Sequence, residues 1–248
     1  MDVFTSRKSN DKLKIIKSLL SSVYYGYKNS FQVKSNECQY NKYQYLKLHS
    51  QFGEDRYIIE NIKLPEKGVF VDVGAGHPIY LSNTYFFEQN GWNGICIDAD
   101  IKQVELLKKV RKNVEWAAVA LEEGEIEFFQ SLVSEFSTTS PRNEYQGIVK
   151  SQFKRDAVKV PAFRLETILE KYKIGIIDVL NIDVEGVELD VWQTFDYQKH
   201  QPKVVIIEYY TLGLPDNGDK IKNFFSELPY KLAHTTCSNF IFVREDIC

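Results

Sequence analysis

The most constraining feature of this chain is a regular alternation of short apolar runs with stretches of helical periodicity. Between residues 68 and 244, continuous apolar runs typical of buried strands alternate with segments whose apolar residues recur every three or four positions. This order predicts an α/β fold with a mostly parallel sheet and helices on both faces. The last two runs are separated only by Cys237 and Ser238, so we expect a hairpin and a sheet that ends in an antiparallel strand.

The same periodicities predict individual elements. The expected strands are residues 68–73, 94–98, 113–120, 126–130, 158–163, 176–183, 203–209, 230–236 and 239–244. The expected helices are residues 83–90, 101–112, 165–172, 187–195 and 218–228. Residues 131–159 are polar and lack a period until the strand that begins near residue 158, which is typical of a long, functional loop.

Composition narrows the class of protein. A chain of 248 residues with 44% hydrophobic residues is long enough to bury a core without disulfides or a structural metal. It has no apolar run near the roughly 20 residues that span a bilayer, and no secretory signal at its start. The four cysteines form no CxxC pair, which argues against a zinc ribbon and a disulfide framework. We therefore expect a soluble, cytoplasmic protein.

Charge divides the chain into two parts. Residues 1–50 carry a net charge of +6, which leaves −9 for the remainder of a chain whose total is −3. Apolar residues recur at helical spacing between Asp11 and Val23, with lysines among them, which predicts a basic amphipathic helix. We therefore divide the chain into a basic, tyrosine-rich extension, residues 1–45, and a main domain, residues 46–248. The helix either caps the main domain or contacts an anionic membrane surface or carrier.

A glycine turn follows the first predicted strand, in the segment VDVGAGHP from Val71 to Pro78. Glycines at a strand end let the backbone approach a cofactor closely. The dinucleotide fingerprint requires a third glycine where this chain has Ile79, which weakens the case for nicotinamide binding. Asp72 stands two residues before Gly74, where its carboxylate can meet the amino group of a bound methionine moiety.

An acidic residue ends the next predicted strand. Asp98 follows Gly76 by 22 residues, and a carboxylate there can accept hydrogen bonds from both ribose hydroxyls of an adenosine. The alternative is that Asp98 caps the following helix, and Asp100 competes for either role. The glycine turn and the acidic strand end together favour an adenosine-type cofactor, but they do not separate S-adenosylmethionine from NAD.

Carboxylates also surround the end of the strand predicted over residues 176–183. Asp183 and Glu185 lie there, and Glu188 and Glu208 could join them at the same edge of the sheet. Such carboxylates can act as a general base or bind a divalent ion through oxygen, so Asp183, Glu185 and Glu208 are candidate metal ligands. For Glu188 we favour a simpler role at the start of the following helix, where negative charge is stabilising.

Several segments, in this order, resemble the FkbM family of methyltransferases: SQFGED, FVDVGAGHP, LSNT, GWNGICIDAD, IDVEG and NFIFV, which span about residues 48 to 245. The resemblance implies a class I, Rossmann-like fold and S-adenosylmethionine-dependent O-methylation of a hydroxyl. The usual acceptor is a sugar, a glycolipid or polysaccharide, or a polyketide-type natural product. The resemblance does not cover residues 1–45.

Carried over to this chain, the family pattern implies a set of cofactor contacts. It assigns Asp72, Gly74 and Gly76 to the methionine end, Asp98 to the ribose and Ala118 to the adenine. Four further residues would close the pocket: Gln51, Asp55, Ser82 and Asn83. Ser82 could instead be a helix N-cap, and Asp55 could begin an exposed helix.

Methyl transfer to a hydroxyl also requires a base. His77 is the first candidate because it directly follows the glycine turn, and Asp183 and Glu185 are the next candidates. Two alternative functions remain: an NAD-dependent oxidoreductase and a nucleic-acid methyltransferase. The second is disfavoured because the chain has Asp183-Val184-Glu185-Gly186 in place of an (Asn/Asp)-Pro-Pro-aromatic motif, and because the acidic main domain opposes a broad phosphate-binding face.

Overall fold

The computed structural model describes residues 48–130, 139, 157–210 and 215–247, which all belong to one compact unit. The basic helix predicted between residues 11 and 23, and with it the extension 1–45, lies outside the described residues. Most of the loop predicted over residues 131–159 also lies outside them.

The described elements alternate between strand and helix, as the periodicity predicts. The strands are β1 Val69–Val73, β2 Asn93–Asp98, β3 Val114–Trp116, β4 Ala118–Val119, β5 Gly124–Phe128, β6 Val158–Phe163, β7 Val179–Ile182, β8 Val204–Glu208, β9 Tyr230–Thr235 and β10 Asn239–Arg244. The helices are α1 Glu54–Asn61, α2 Tyr85–Gln89, α3 Ile101–Leu107, α4 Leu165–Lys171, α5 Glu188–Trp192, α6 Tyr197–His200 and α7 Gly218–Ser226, and a 3-10 turn spans Glu245–Ile247. The short α6 was not among the predicted helices, and α1 was considered only as the alternative in which Asp55 begins an exposed helix.

Seven strands form one mixed, mostly parallel sheet in the order β3-β2-β1-β7-β8-β10-β9. Parallel pairing joins β3 to β2, β2 to β1, β1 to β7 and β7 to β8. Only β10 runs in the opposite direction, since it pairs antiparallel with both β8 and β9. The expected α/β fold with a mostly parallel sheet is confirmed.

Helices cover both faces of this sheet, because alternate residues of its central strands point to opposite sides. On one face, Val71 and Leu180 pack with residues of α4, α5 and α7. On the other face, Phe70 and Val179 pack with Ile58 of α1 and with residues of α2 and α3. Burial on both faces explains why the central strands read as continuous apolar runs.

The expected hairpin forms one end of the main sheet. The antiparallel strand β10 lies inside the sheet, and β9, which pairs antiparallel with it, forms the edge. Residues 239–243 of β10 are buried, whereas β9 is exposed except for Tyr230. The apolar strand therefore takes the interior position, and the polar strand tolerates the solvent-facing edge.

The strand predicted over residues 113–120 divides into two. The backbone N–H of Ala117 donates a hydrogen bond to the Asp98 carbonyl. Asp98 is the last residue of β2, so the residues after Ala117 have no β2 partner. The chain then leaves the main sheet, and Ala118 and Val119 pair in parallel with β6. With the antiparallel β5–β6 pair they form a second, three-stranded sheet in the order β4-β6-β5, which periodicity alone did not predict.

Among the described helices, none combines the length and the apolar character of a membrane-spanning segment.

Candidate functional site

A cavity of about 360 Å³ opens beyond the carboxyl ends of β1, β2, β7 and β8. The chain continues from β1 toward β2 on one side and from β7 toward β8 on the other, so the β1–β7 boundary is a topological switch point. Ligands of open α/β sheets bind at such a point, and the volume suits a small molecule. The polar residues of the described lining are Gln51, His77, Tyr80, Asp98, Asp100, Gln103, Thr139, Asp183, Glu185, Glu208, Tyr210 and Ser238.

The glycine turn forms the floor of this cavity. Gly74 has a φ of 77° and donates its N–H to the Ile97 carbonyl at 2.9 Å. A Cβ at Gly74 would lie 1.7 Å from the backbone oxygen of Asp183, so only glycine fits where the turn crosses the end of β7. Gly76 has a φ of 55° and faces open space. Both glycines line the cavity, as the sequence predicts for a cofactor turn.

Asp98 connects this turn to the start of α3. Its Oδ2 accepts the Gly76 N–H at 2.8 Å, and its Oδ1 accepts the Asp100 N–H at 2.7 Å. Burial raises the pKa of Asp98 to about 7, although both N–H donors act to lower it. Each carboxylate oxygen has two acceptor positions, so Asp98 retains acceptor capacity for ligand hydroxyls.

Asp100, and not Asp98, caps the following helix. The Asp100 side chain accepts the Lys102 N–H at 3.0 Å as the N-cap of α3. The helix-capping role that was considered for Asp98 therefore belongs to Asp100. Asp98 remains the acidic residue at the end of β2 that faces the cavity.

Small and apolar residues form the wall beside Asp98. Ala117, Ala118 and Val119 line the cavity where the chain passes from the main sheet to the second sheet, and Phe128 of β5 lies beside them. These four side chains are buried. Apolar side chains of this kind can pack against an aromatic base, and Ala118, which the resemblance assigned to the adenine, lies among them.

Four of the residues expected to bind the cofactor lie behind the cavity and not in its described lining: Asp72, Asp55, Ser82 and Asn83. Asp72 is buried and accepts hydrogen bonds from the Thr84 hydroxyl and from Asn181 Nδ2, at 2.8 Å for the latter. Burial raises the pKa of Asp72, against the opposing charge of Arg111. Because the Asp72 side chain points from β1 toward α2, it makes hydrogen bonds with protein groups and does not reach the cavity.

Ser82 and Asn83 belong to the same buried polar group. Ser82 Oγ accepts the Tyr85 N–H at 3.1 Å, which stabilises the start of α2 in the manner of the N-cap alternative. Thr84 itself holds the N-cap position. Asn83 Nδ2 donates to Asn181 Oδ1 at 2.9 Å, which ties the segment before α2 to β7.

Asp55 fixes the segment that carries Gln51. It is fully buried on α1 and accepts the N–H groups of His49 and Ser50 at 2.7 and 3.2 Å. Ser50 in turn forms an isolated parallel bridge with Leu81. The alternative of an exposed helix start at Asp55 is thus wrong, because this carboxylate is buried among backbone donors. Gln51, placed by these contacts, lines the cavity.

A buried arginine organises the loop below the cavity. Arg111 pairs with Glu88, and both side chains are almost fully shielded from solvent. Arg111 also donates to the Pro78 carbonyl at 3.3 Å, to Ser82 Oγ at 3.2 Å and to Thr84 Oγ1 at 2.7 Å. The sequence did not reveal this network, because Arg111 stands in a basic stretch that is typical of a solvated helix face.

His77 lines the cavity, but its hydrogen bonds indicate a structural role. Its Nδ1 accepts the backbone N–H groups of Ile79 and Tyr80 at 3.1 and 3.0 Å. In the neutral ring the proton therefore lies on Nε2, which makes that nitrogen a donor and not a base. The imidazole holds the turn after the glycines and packs against Tyr80 at a ring distance of 4.8 Å.

Three carboxylates meet at the other end of the cavity. Single oxygens of Asp183, Glu185 and Glu208 all lie within 4.8 Å of one another. Glu185 reaches this position through a left-handed backbone conformation, with a φ of 60°. Burial, and then the negative charge of Glu188, raise the pKa of Asp183 to about 7, while a hydrogen bond with Glu208 acts to lower it. The structure thus brings together the three candidate metal ligands.

Glu188 shapes the turn that presents these carboxylates. It is buried and accepts the Gly186 and Val184 N–H groups at 2.8 and 3.3 Å. These contacts lie at the start of α5. The sequence favours this location for Glu188, with a role in stabilising the beginning of the helix. Glu188 does not line the main cavity.

Sequence reasoning missed part of the lining. Tyr80 and Tyr210 expose aromatic surface at the cavity, Ser238 lies in the hairpin turn, and Gln103 lies on α3. None follows a strand within a recognisable motif, so no pattern in the sequence singles them out.

Comparison with known families gives one match. The model of one protein family, described as the methyltransferase FkbM domain, matches residues 72–232. No curated protein matches the chain.

Proposed function

Because this chain belongs to the FkbM methyltransferase family, we propose that it is an S-adenosylmethionine-dependent O-methyltransferase with a class I, Rossmann-like domain. The proposed acceptor is a hydroxyl of a sugar, a glycolipid or polysaccharide, or a polyketide-type natural product. The observation that carries the proposal is the cavity at the switch point, with a glycine turn as its floor, Asp98 at the end of β2 and a carboxylate cluster beyond β7 and β8.

The residues present suit this cofactor. Gly74 and Gly76 leave the turn free of side chains, and Asp98 offers acceptor positions to the ribose. Ala118 and Phe128 provide an apolar wall for the adenine. We propose that Asp72, with Asn83 and Ser82, supports the methionine end from behind through the network that anchors the glycine turn, and that Asp55 supports it by placing Gln51.

The cofactor and the protein chain would each supply part of the methyl-transfer chemistry. When bound, the cofactor supplies a methyl group that its sulfonium makes electrophilic. The chain must hold the acceptor hydroxyl in line with that methyl group and receive the hydroxyl proton. Asp183 lies at the carboxylate end of the cavity, where it can receive this proton, and Glu208 and Glu185 can accept hydrogen bonds from neighbouring hydroxyls. His77 remains a candidate for donating a hydrogen bond from Nε2.

The observations support the two alternative functions, an NAD-dependent oxidoreductase and a nucleic-acid methyltransferase, less well. Ile79 stands in place of the third glycine of a dinucleotide turn, and its N–H is occupied by His77. Among the described lining residues there are five carboxylates and no lysine or arginine, which disfavours the phosphates of a nucleic acid. For residues 1–45, contact with a membrane surface or an anionic carrier remains a proposal, as does a cytoplasmic location.

Substitution of Asp183 tests the proposed base. We expect Asp183→Asn to lower kcat by about a hundredfold or more, the usual contribution of general base catalysis. Because the pKa of Asp183 is raised to about 7, the acid form predominates below that pH. The wild-type rate should therefore rise with pH through about 7 and then level off. The measurement is methyl incorporation from labelled S-adenosylmethionine, with the best acceptor from a panel of glycosides, glycolipids and polyketide alcohols.

Two controls sharpen this experiment. Asp190→Asn changes an exposed carboxylate on α5 and should leave kcat within twofold of wild type. A chelator separates proton transfer from metal binding: activity lost with EDTA and restored by Mg²⁺ would assign Asp183, Glu185 and Glu208 to a divalent ion instead. A variant Asp183→Asn with nearly normal kcat would exclude this residue as the base.

A further inference from the structure

Gln103 stands where a glutamine usually bonds the N-cap residue of its own helix, but here that bond is made by another residue. It is the third residue after Asp100, the N-cap of α3, which is the spacing of a capping box. In that motif the glutamine side chain accepts the backbone N–H of the N-cap residue. Here the Asp100 N–H donates to Asp98 Oδ1 at 2.7 Å, so it does not need Gln103.

Among the described residues, the Gln103 carbonyl oxygen has no hydrogen-bond partner. Oε1 is shielded from solvent, and no donor among the described residues lies within hydrogen-bonding distance of it. Buried acceptors in native proteins are almost always satisfied, and an unsatisfied one calls for an explanation. Gln103 lines the cavity, so a ligand donor can supply the missing hydrogen bond.

The surroundings identify which donor fits. Gln103 lies at the end of the cavity formed by Asp98, Asp100, Ala118 and Phe128. An adenosine has donors at its ribose hydroxyls and at the exocyclic amino group of adenine. Asp98 is the acidic residue suited to the hydroxyls. The amino group is the remaining donor, and a glutamine amide is well suited to adenine because it can accept from N6 while donating to a ring nitrogen.

We propose that Gln103 Oε1 accepts a hydrogen bond from the adenine amino group and makes this site selective for adenine. The inference rests on the proposed function, since it assumes an adenosine-type cofactor. It adds a specificity-determining residue that the glycine turn and the acidic strand end do not supply. A site built around a ligand donor rejects a ligand without it, because the buried acceptor is then left unpaired.

The experiment compares S-adenosylhomocysteine with its 6-deamino analogue, in which a hydrogen replaces the amino group. This analogue introduces no new acceptor, so rotation of the Gln103 amide cannot restore the contact. We expect the wild-type chain to bind S-adenosylhomocysteine at least tenfold more tightly than the analogue in isothermal titration calorimetry. Gln103→Leu should bind both ligands with affinities within threefold of each other, close to the wild-type affinity for the analogue.

Two variants control for general damage to the pocket. Gln130→Leu removes a nearby amide that bonds Asp100 and does not line the cavity, and it should keep the tenfold preference. Gln103→Glu retains an acceptor and should also bind S-adenosylhomocysteine more tightly than the analogue. This variant tests the proposal if Gln103→Leu binds neither ligand. Failure of Gln103→Glu to show that preference would then overturn the proposal.

Other outcomes are equally decisive. Equal wild-type affinity for both ligands, or an undiminished preference in Gln103→Leu, would overturn the proposal. An equal loss of affinity for both ligands in Gln103→Leu would indicate a ribose contact and would also overturn it. Failure of the wild-type chain to bind S-adenosylhomocysteine at all would count against the proposed function itself.

Discussion

Gly74 and Gly76 lie in one turn, but the space around them differs. Both have positive φ angles, which cost an L-residue about 1–2 kcal/mol. Only Gly74 also approaches another strand, since a Cβ there would lie 1.7 Å from the Asp183 oxygen. A Cβ at Gly76 would meet no atom within 4 Å. The first glycine is therefore required by packing, and the second only by backbone conformation.

This difference predicts unequal effects on stability. We expect Gly74→Ala to lower the free energy of unfolding by about 3 kcal/mol or more, because strain and overpacking add and the backbones of β1 and β7 must separate. Gly76→Ala should cost only about 1–2 kcal/mol. Denaturant unfolding of the two variants measures both values. Equal losses would show that the turn does not pack against β7 as described.

At the scale of elements, helix α2 and the loop before it depend on one buried ion pair. Arg111, which follows α3, reaches Pro78, Ser82 and Thr84 as well as Glu88 of α2. The guanidinium also lies over the Phe70 ring, 5.3 Å from its centre. These contacts connect the loop after the glycine turn to the sheet, so Arg111 influences the site without lining it.

Removal of this arginine should destabilise the fold. Arg111→Met leaves the Glu88 carboxylate buried without its cation, which typically costs about 3–5 kcal/mol. The double variant Arg111→Met/Glu88→Gln should recover part of that loss, because the uncompensated charge is gone. Arg56→Met is the matched control, since its pair with Glu60 is partly exposed and should contribute less than about 1 kcal/mol. Thermal or denaturant unfolding that ranks Arg56→Met with Arg111→Met would contradict this account.

The sequence predicted elements well where the local pattern decides the structure. Every strand of the main sheet was expected, because burial on both faces gives the central strands continuous apolar runs and the hairpin spacing marks the last two strands. Pattern alone carries no information about partners, however. It therefore did not show that β10 lies between β8 and β9, or that the chain leaves the main sheet at Ala117 to pair with β6.

The same limit applies to the site. Residues at or just after strand ends, such as Gly74, Asp98 and Asp183, line the cavity, because parallel strands end at a common edge. Asp72 was expected there too, but it lies within β1 and its side chain joins the buried network with Thr84 and Asn181. The direction of a side chain and its long-range partners depend on packing, which the local sequence does not specify.

At the scale of the whole molecule, the described domain concentrates negative charge in the cavity proposed for the cofactor. The net charge of −9 after residue 50 includes five carboxylates in the described lining of the cavity. A sulfonium and an ammonium group are attracted by such a lining, whereas the two phosphates of NAD are repelled. Charge therefore supports the same choice of cofactor as the missing third glycine.

Ligand binding by the full-length chain tests the central claim most directly. Isothermal titration calorimetry with S-adenosylhomocysteine should show one site per chain, and Asp98→Ala should weaken that binding at least tenfold, because a buried acceptor for the ribose is lost. NAD should show no binding under the same conditions. Binding of NAD without binding of S-adenosylhomocysteine, or unchanged affinity in Asp98→Ala, would contradict the account.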